Sequence, residues 1–448
     1  MEEEQEPQKS AAAMTPEEPE PCASEETPPE ITLALRVNRV DAAVWGKANE
    51  CMLKLAEAVQ ALRIPHGQVG SPFAFTLDLQ RIPGLRVQVC TAQGFDRFGL
   101  TVQAESGQLR VEGVPTEEFD GAVTLHIHYA MEIEARKTLT LLPDPRSLWK
   151  EIEPAADEGY PREHCAVREL AIPEGKRVLA ASVRGRSHAH EGKFRDDAFA
   201  LEQDLSTGWL YLAVADGAGS ARFSRKGAEM ACEGTIRFLR ENMARLPEGE
   251  LEAHLKQWRT SPEDAEARGN SQLDKVFHRA LYDAWFAVNG EAEQRGAKMR
   301  DYYTTLLVAA VKRFDFGWFI ANYWVGDGAV ALLGADGAPE VRILGKPDGG
   351  EFAGETRFFT MKEEITEENI RGRLRYSFVS DFDALFLMTD GVSDPFFEAE
   401  ADLFNPERWE RLTADLEEKT RFEAKDLLEW LNFWSRGNHD DRTLVVVR

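Results

Sequence analysis

The sequence predicts an α+β protein in which a small β-rich domain precedes a larger domain of strands and helices. Three observations support this fold class. Apolar and polar residues alternate with a period of two in the first third of the chain, which is typical of half-buried strands. Apolar runs alternate with amphipathic segments in the remainder. With 448 residues, 43% of them hydrophobic, the chain is long enough for two or three domains.

The chain carries 78 acidic and 53 basic side chains, a formal charge of −25. Because an acidic surface repels phosphate backbones and anionic lipids, we expect neither a nucleic-acid partner nor a membrane partner. No apolar run reaches the roughly 18 residues of a membrane span, and the first residues do not resemble a signal peptide. The five cysteines are odd in number and widely spaced, which argues against a disulfide framework. We therefore expect a cytoplasmic location.

Residues 1–30 contain ten glutamates and one lysine, and this composition predicts a disordered acidic tail. Residues 31–142 follow as a β-rich module. Period-two alternation predicts antiparallel strands at 31–37, 73–79 and 123–129, and the periodicity of 49–62 predicts one helix. Asp120-Gly121 is interpreted as a turn between strands.

Small-residue turns in this module resemble those of the bacterial immunoglobulin-like (cadherin-like) modules. The segments that carry the resemblance are 69–73, 99–102, 107–116 and Gly121. The resemblance implies a sandwich that binds a partner or acts as a spacer and has no chemistry of its own.

Residues 143–176 contain five prolines and no periodicity, which predicts a linker between domains. From 177 to 448 apolar runs alternate with amphipathic segments, and helices are expected at 224–241 and 423–434.

Aspartates end or adjoin the apolar runs of this second region. Three runs lead directly into Asp-Gly, at Asp216, Asp327 and Asp390, and two acidic pairs lie next to other predicted strands, at 196–197 and 440–441. One Asp-Gly is usually a hairpin turn, and Asp336-Gly337 and Asp348-Gly349 are interpreted in that way. A carboxylate at the end of a buried run is costly unless a cation compensates its charge.

Several carboxylates at one edge of a sheet require a cation, and oxygen ligands select a hard ion, Mg²⁺ or Mn²⁺. Two such ions can bridge a water, lower its pKa and direct it at phosphorus. The sequence therefore predicts a binuclear metal hydrolase.

The order of these motifs resembles the metal-dependent protein phosphatase family, type 2C (PPM), in its bacterial branch with an abbreviated first motif. The resemblance covers 177–448. Its motifs lie at 185–199, 214–220, 303–306, 325–328, 351–356, 389–392 and 440–443. It implies a four-layer α-β-β-α sandwich of two antiparallel sheets, with the metals at one end between the sheets.

Carried over by position, the resemblance assigns roles to individual residues. Asp216 would bridge two metals, and the Gly217 carbonyl would help to hold one of them. Asp390 and Asp440 would complete the other, and Asp327 with Asp390 could hold a third ion. Asp197, together with Asp196, would support the site directly or through water.

The sequence departs from the family pattern at the arginine that binds the substrate phosphate, because Gly192 occupies that position. Another cation must then bind phosphate. The candidates near the motifs are Arg186, Arg195 and Arg222, with Lys193 and Arg225.

A second departure concerns the general acid, since Ala218 stands where many relatives have histidine. His188 in the first motif is the leading substitute as proton donor, followed by His439. The competing interpretation is that His188 only forms a hydrogen bond within a loop.

The leading hypothesis is a serine/threonine protein phosphatase that uses a metal-activated water and acts on phosphoproteins. The resemblance implies a bacterial signalling pathway with a partner Ser/Thr kinase. The alternative is a catalytically weak or inactive scaffold that binds phosphoproteins or partners. A haloacid dehalogenase-type phosphatase is disfavoured because no apolar strand ends in Asp-x-Asp-x-Thr.

Overall fold

The computed structural model describes residues 31–39, 48–78, 85–105, 108–128, 132–155, 159–260, 271–337, 341–348 and 356–448. The predicted tail, 1–30, lies outside these residues. Two compact units divide the chain at residue 148. Among the described residues, no helix has the length and apolar character needed to cross a membrane.

The first unit contains eight described strands and one helix. The strands are β1 Ile31–Arg39, β2 Gly67–Gln68, β3 Phe73–Asp78, β4 Leu85–Gln93, β5 Leu100–Glu105, β6 Gln108–Gly113, β7 Phe119–His128 and β8 Glu132–Leu142, and helix α1 spans Ala48–Ala61. They form a five-stranded sheet in the order β2-β8-β7-β1-β4 and a three-stranded sheet in the order β3-β6-β5. Residues of both sheets share one hydrophobic core.

The five-stranded sheet is mixed, so the expectation of a purely antiparallel module was wrong. Strand β1 pairs with β7 in parallel, as does β2 with β8. Asp120-Gly121 lies inside β7 and not in a turn, because these residues pair with Thr140 and Leu139 of β8. The predicted helix at 49–62 is present as α1.

The second unit alternates strands and helices. Its strands are β9 Cys165–Ala171, β10 Arg177–Val183, β11 Ala198–Asp204, β12 Trp209–Ala215, β13 Leu306–Phe314, β14 Gly317–Val325, β15 Ala329–Leu333, β16 Arg342–Gly345, β17 Leu374–Val379, β18 Ala384–Met388 and β19 Arg442–Val447. Its described helices are α2 Arg186–Glu191, α3 Ser224–Met243, α4 Glu248–Thr260, α5 Gln272–Gln294, α6 Glu367–Arg373, α7 Asp390–Phe396, α8 Pro406–Lys419 and α9 Ala424–Leu431.

These strands form two antiparallel sheets that stack face to face between helical layers. One sheet has the order β11-β12-β13-β14-β17 and the other the order β16-β15-β18-β19-β10-β9. Leu212 and Val445 belong to the core between the sheets, whereas Tyr211 packs with Phe277 of α5 on the outer face of the first sheet. Trp409 of α8 packs on the outer face of the second sheet. The unit is therefore the expected four-layer α-β-β-α sandwich.

Both faces of β12 are covered, which explains why all seven of its residues are buried and why its sequence is apolar without alternation. The predicted linker, 143–176, includes strand β9, which pairs with β10 along its whole length. Part of that segment is therefore an edge strand of the second unit.

Candidate metal centre

The antiparallel order of the sheets brings the acidic motifs to one end of the second unit. In an antiparallel pair, the end of one strand lies beside the start of its neighbour. Asp197 precedes β11 and Asp216 follows its partner β12, while Asp390 follows β18 and Asp440 lies just before its partner β19. Asp327 follows β14, which runs in the same direction as β12. Residues far apart in the sequence thus converge.

Asp216 is fixed through its backbone by the threonine pair of the 303–306 motif. Its backbone N–H donates to Thr305 Oγ1 at 2.8 Å. Its carbonyl accepts hydrogen bonds from Thr304 Oγ1 at 2.7 Å and from the Thr305 N–H at 2.8 Å. Gly217, which follows, forms an isolated β-bridge with Thr304. These bonds leave the Asp216 carboxylate available for a ligand.

Asp216, Asp327 and Asp390 form a carboxylate cluster, in which one oxygen from each residue lies within 4.8 Å of the others. Removal from water and the charge of Asp390 raise the pKa of Asp216 well above its ordinary value. Removal from water and the charge of Asp327 do the same for Asp390. One oxygen of Asp327 accepts a hydrogen bond from Thr356 Oγ1 at 2.7 Å, and the other is buried with no partner among the described residues. The cluster therefore lacks a compensating positive charge within the described chain.

A second group, formed by His188, Asp440 and Asp441, also places one ligand atom of each residue within 4.8 Å of the others. Asp390 groups with Asp216 and Asp327, and Asp440 belongs to this second group, so the sharing of one metal by Asp390 and Asp440 stays a prediction. Asp440 still acts as a neighbouring charge that raises the pKa of Asp390, so the two groups are adjacent.

Asp441 organises the loop around the first acidic motif. Its carboxylate accepts hydrogen bonds from the Gly185 N–H at 2.6 Å, from the Asp196 N–H, and from His188 Nδ1 at 2.9 Å. Burial alone would raise the pKa of Asp441, but His188 and the donated hydrogen bonds outweigh burial and lower it. Asp441 belongs to the motif at 440–443, but no role for it was predicted from the sequence.

Asp197 is buried beside the cluster but outside the two groups. One of its oxygens accepts hydrogen bonds from Thr389 Oγ1 at 2.9 Å and Thr443 Oγ1 at 2.7 Å. The other oxygen is buried without a partner in the described part of the chain. Burial and the charge of Asp441 raise the pKa of Asp197 to about 7. An unpartnered buried carboxylate oxygen next to other carboxylates suits a cation or a water bound to one.

Asp196 faces cationic side chains. One oxygen accepts a hydrogen bond from the Arg225 guanidinium at 3.2 Å, and the other lies 3.8 Å from His188 Nε2. Burial, followed by the charge of Asp441, raises the pKa of Asp196 to about 6 in spite of these neighbours. Arg225 is itself buried, and of the five candidate phosphate-binding cations it alone pairs with this acidic motif within the described residues.

The other candidate cations have different surroundings. Arg195 is only 3% exposed and donates to Ser182 Oγ and the Asp197 carbonyl, so it is part of the core and not a phosphate ligand. Arg186 donates to two backbone carbonyls and lies over the Trp434 ring. Arg222 is exposed and covers the Phe223 ring, and Lys193 pairs with Glu191.

His188 is buried within the site, whereas His439 is held among aromatic rings. Burial lowers the pKa of His188, but the charges of Asp441, Asp196 and Asp440 outweigh this effect and raise it to about 9. The His439 ring lies 4.3 Å from the Trp149 ring and 5.0 Å from the Trp434 ring. Burial and nearby arginines lower the pKa of His439.

Asp348, predicted from the sequence to lie in a hairpin turn, supports the loop that carries Asp327. It accepts a hydrogen bond from the Gly326 N–H at 2.8 Å and pairs with Arg373 at 2.7 Å. Arg373 also pairs with Glu364, which is 2% exposed. The motif predicted at 351–356 lies outside the described residues except for Thr356.

Comparison with known proteins gives a family assignment. The family model described as protein phosphatase 2C matches residues 184–432, more than half of the chain. The chain belongs to the protein phosphatase 2C family. The matched residues include Asp216, Asp327 and Asp390 of the carboxylate cluster, so the cluster lies within the family domain.

Several solved structures resemble this chain at low sequence identity. RsbX in complex with magnesium is 13% identical over 63% of this chain and 98% of its own, with a TM-score of 0.34. PppA, a regulatory component of T6SS in Pseudomonas aeruginosa, is 16% identical over 63% of this chain and 99% of its own, with a TM-score of 0.37. The catalytic domain of the serine/threonine phosphatase PstP with two manganese ions is 18% identical over 61% of this chain and 97% of its own, with a TM-score of 0.37. No curated protein sequence matches the chain.

Proposed function

We propose that this protein is a metal-dependent phosphatase that hydrolyses phosphoserine and phosphothreonine in proteins. Family membership supports protein phosphatase activity. The observation that carries the metal-dependent mechanism is the cluster of Asp216, Asp327 and Asp390, whose carboxylate oxygens lie within 4.8 Å of one another. Like charges so close together are stable only when a cation or protons compensate them.

The donor set fits Mg²⁺ or Mn²⁺. All three members of the cluster offer carboxylate oxygens, which hard divalent ions prefer. Asp327 and Asp197 each have a buried oxygen without a partner among the described residues, and such atoms need a ligand. Two divalent ions bound here would supply a nucleophilic water of lowered pKa and neutralise charge on the phosphate.

The side chains of this chain have distinct roles in the proposal. Asp216 and the Gly217 carbonyl would hold metal from the first sheet, and Asp390 and Asp440 would hold it from the second sheet. Asp327 would add a further carboxylate ligand for an additional ion. The threonine pair 304–305 keeps Asp216 in place through three hydrogen bonds to its backbone.

His188 is the proton donor in this proposal. Its Nδ1 is engaged by Asp441 at 2.9 Å, which fixes the ring, and its Nε2 is directed towards Asp196 at 3.8 Å. A positively charged imidazole can give its proton to the serine or threonine oxygen that leaves. Arg225, bound to Asp196, supplies a fixed positive charge beside the same motif.

We further propose a cytoplasmic location and substrates phosphorylated by a Ser/Thr kinase. Cys165 and Cys232 are free thiols in the structure, which suits a reducing compartment.

Phosphate release from a phosphothreonine peptide tests the proposal, measured with Mn²⁺, with EDTA, and with the Asp216→Asn variant. We expect hydrolysis only with the metal and a loss of at least roughly a hundredfold in kcat/KM in the variant. Asp336→Asn is the matched control, because Asp336 lies in a surface turn with φ +57°, which asparagine tolerates. Activity that survives EDTA would overturn the mechanism. Metal-dependent peptide binding without turnover would favour the scaffold alternative.

A further inference from the structure

The short segment 159–162 precedes strand β9 and belongs to the second unit, which begins at residue 149. It lies before residue 184, where the match to the protein phosphatase 2C family model begins. Family membership therefore assigns this segment no place in the metal centre. Its hydrogen bonds nevertheless lead to the acidic motif 196–197 and to Arg225.

Arg162 is bound to the backbone of the acidic motif. Its guanidinium donates to the Asp197 carbonyl at 2.9 Å and to the Arg225 carbonyl at 3.4 Å. The side chain is mostly buried and forms an ion pair with Glu229 of α3 at 3.7 Å. Arg162 thus connects the residue before β11 with the first turn of α3.

The Asp197 carbonyl accepts hydrogen bonds from two guanidinium groups. Arg195 donates to it at 2.7 Å, beside the bond from Arg162. Two cations held so close together repel each other, and hydrogen bonds from charged donors to one oxygen offset that repulsion. The shared carbonyl is therefore a strongly held point in the backbone of the metal centre.

The Gly159 carbonyl holds Arg225 from the same segment. It accepts a hydrogen bond from Arg225 Nε at 3.2 Å, while Arg225 Nη1 donates to Asp196 Oδ1 at 3.2 Å. The Arg225 guanidinium also lies over the Phe194 ring, 5.0 Å from its centre. This buried cation therefore joins the segment 159–162 to the acidic motif.

Tyr160 anchors the segment to helix α5. Its φ of +59° lies in the left-handed region, which is costly for a tyrosine and persists only where the surroundings determine it. Its hydroxyl donates to Glu291 and lies 3.0 Å from the Tyr302 hydroxyl. The Arg295 guanidinium lies 4.1 Å from the centre of its ring. These contacts give the segment one defined position.

We propose that 159–162 is a positioning segment of the metal centre, in which Arg162 and the Gly159 carbonyl hold Asp197 and Arg225 in place and Tyr160 anchors the segment. The proposal rests on the proposed metal-dependent phosphatase function and goes beyond it, because the metal centre then depends on residues that precede the matched family domain. Arg162 acts through Asp197, so it is a positioning residue and not a catalytic one.

Calorimetric titration of the full chain with Mn²⁺ tests this proposal in the Arg162→Met variant. Methionine keeps an unbranched apolar side chain and removes the hydrogen-bond donors. We expect Mn²⁺ affinity to fall roughly tenfold. At saturating Mn²⁺, kcat for a phosphothreonine peptide should fall while KM changes by less than about twofold, because Arg162 binds the protein backbone and not the substrate. Arg162→Lys, which can still donate to the Asp197 carbonyl, should recover part of the affinity.

Arg168→Met is the matched control from the neighbouring strand. Arg168 lies in β9, is exposed, and forms no ion pair or side-chain hydrogen bond within the described part of the chain. Its replacement should leave Mn²⁺ affinity unchanged. Urea unfolding of every variant in EDTA measures the metal-free fold. A purely structural role for Arg162 would lower this stability and leave the Mn²⁺ affinity of the folded protein as it is.

The outcomes separate the two proposals. Equal Mn²⁺ affinity in Arg162→Met and the wild type, or an equal loss in Arg168→Met, would overturn the positioning proposal alone. Weaker Mn²⁺ binding in Arg162→Met, together with a wild type that hydrolyses no phosphopeptide, would support the segment's role and contradict the phosphatase function. A wild-type protein that binds no Mn²⁺ would overturn both.

Discussion

Thr443 Oγ1 donates a 2.7 Å hydrogen bond to Asp197 Oδ2 and so connects strand β19 to the acidic motif that precedes β11. Thr389 Oγ1 donates to the same oxygen at 2.9 Å. The bonds orient the Asp197 carboxylate and leave its other oxygen buried without a partner among the described residues. Thr443 therefore positions a carboxylate of the proposed metal site.

Replacing Thr443 by valine should weaken metal binding. The substitution keeps the shape of the side chain and removes one of the two hydroxyl groups that hold Asp197. We expect roughly a tenfold loss of Mn²⁺ affinity, measured by calorimetric titration. Thr235→Val is the control, since the Thr235 hydroxyl is buried in α3 without a hydrogen-bond partner in the described chain. Equal Mn²⁺ affinity in the Thr443 variant and the wild type would contradict this role.

The stability of the metal-free protein should fall as pH rises. The pKa values of Asp196 and Asp197 are about 6 and about 7 in the folded protein, above the ordinary 3.8. The folded state therefore holds these protons more tightly than the unfolded chain, and the stability they contribute is lost as pH rises through 6 to 7. Thermal unfolding in EDTA between pH 5 and 8 measures the effect.

Asp197→Asn isolates the contribution of one carboxyl group, because an amide cannot ionise. In EDTA the variant should gain stability relative to the wild type as pH rises, by on the order of 2 to 4 kcal/mol at pH 8. Excess Mn²⁺ should remove this advantage, since the metal compensates the wild-type charge. A difference between variant and wild type that is independent of pH would show that Asp197 is already ionised in the metal-free fold.

Gly391→Ala should destabilise the protein and lower its activity. A Cβ atom at this position would lie 1.9 Å from the Asp441 carbonyl oxygen, so the start of α7 and the segment before β19 would have to separate. We expect a loss of about 2 to 3 kcal/mol, measured by urea unfolding.

Gly290→Ala in α5 provides the control for this substitution. A Cβ atom there meets nothing within 4 Å, so the alanine should stabilise the helix by about 0.5 to 1 kcal/mol. If both alanine variants were as stable as the wild type, the close approach at Gly391 would not be a constraint on the site.

Arg373→Met should destabilise the loop that carries Asp327. Arg373 pairs with Asp348 and Glu364, which are 14% and 2% exposed. Its removal takes away the cation that pairs with Asp348 and leaves Glu364 with the exposed Arg357 as its partner. We expect a loss of about 3 kcal/mol in unfolding free energy, together with weaker metal binding.

Arg371→Met on the same helix removes an exposed pair with Glu367 and should change stability by less than about 0.5 kcal/mol. Similar unfolding curves for the two methionine variants would count against a supporting role for the Asp348 network.

The elements that the sequence predicts well are those with a local signal. Helix α3 begins at Ser224 as expected, because amphipathic periodicity is a property of neighbouring residues. The acidic residues at the ends of apolar strands can be recognised in the sequence for the same reason, because the apolar run and the aspartate are neighbours. Asp216 follows seven consecutive buried residues, and a carboxylate there requires a compensating partner.

The features that escaped prediction depend on contacts between distant segments. Strand β9 lies in the segment expected to be a linker, since only its pairing with β10 identifies it. Arg195 looks like a surface cation in the sequence, yet it is buried because Ser182 and the Asp197 carbonyl accept its hydrogen bonds.

Strand β19 lies between β18 and β10 in the middle of its sheet, although β10 precedes it by about 260 residues. The six-stranded sheet therefore cannot close until residue 447 has been synthesised. Pairing over such a separation makes folding slow compared with that of domains built from local contacts. Asp440 and Asp441 reach their places in the same step, so a chain that ends before β19 lacks two carboxylates of the proposed metal site.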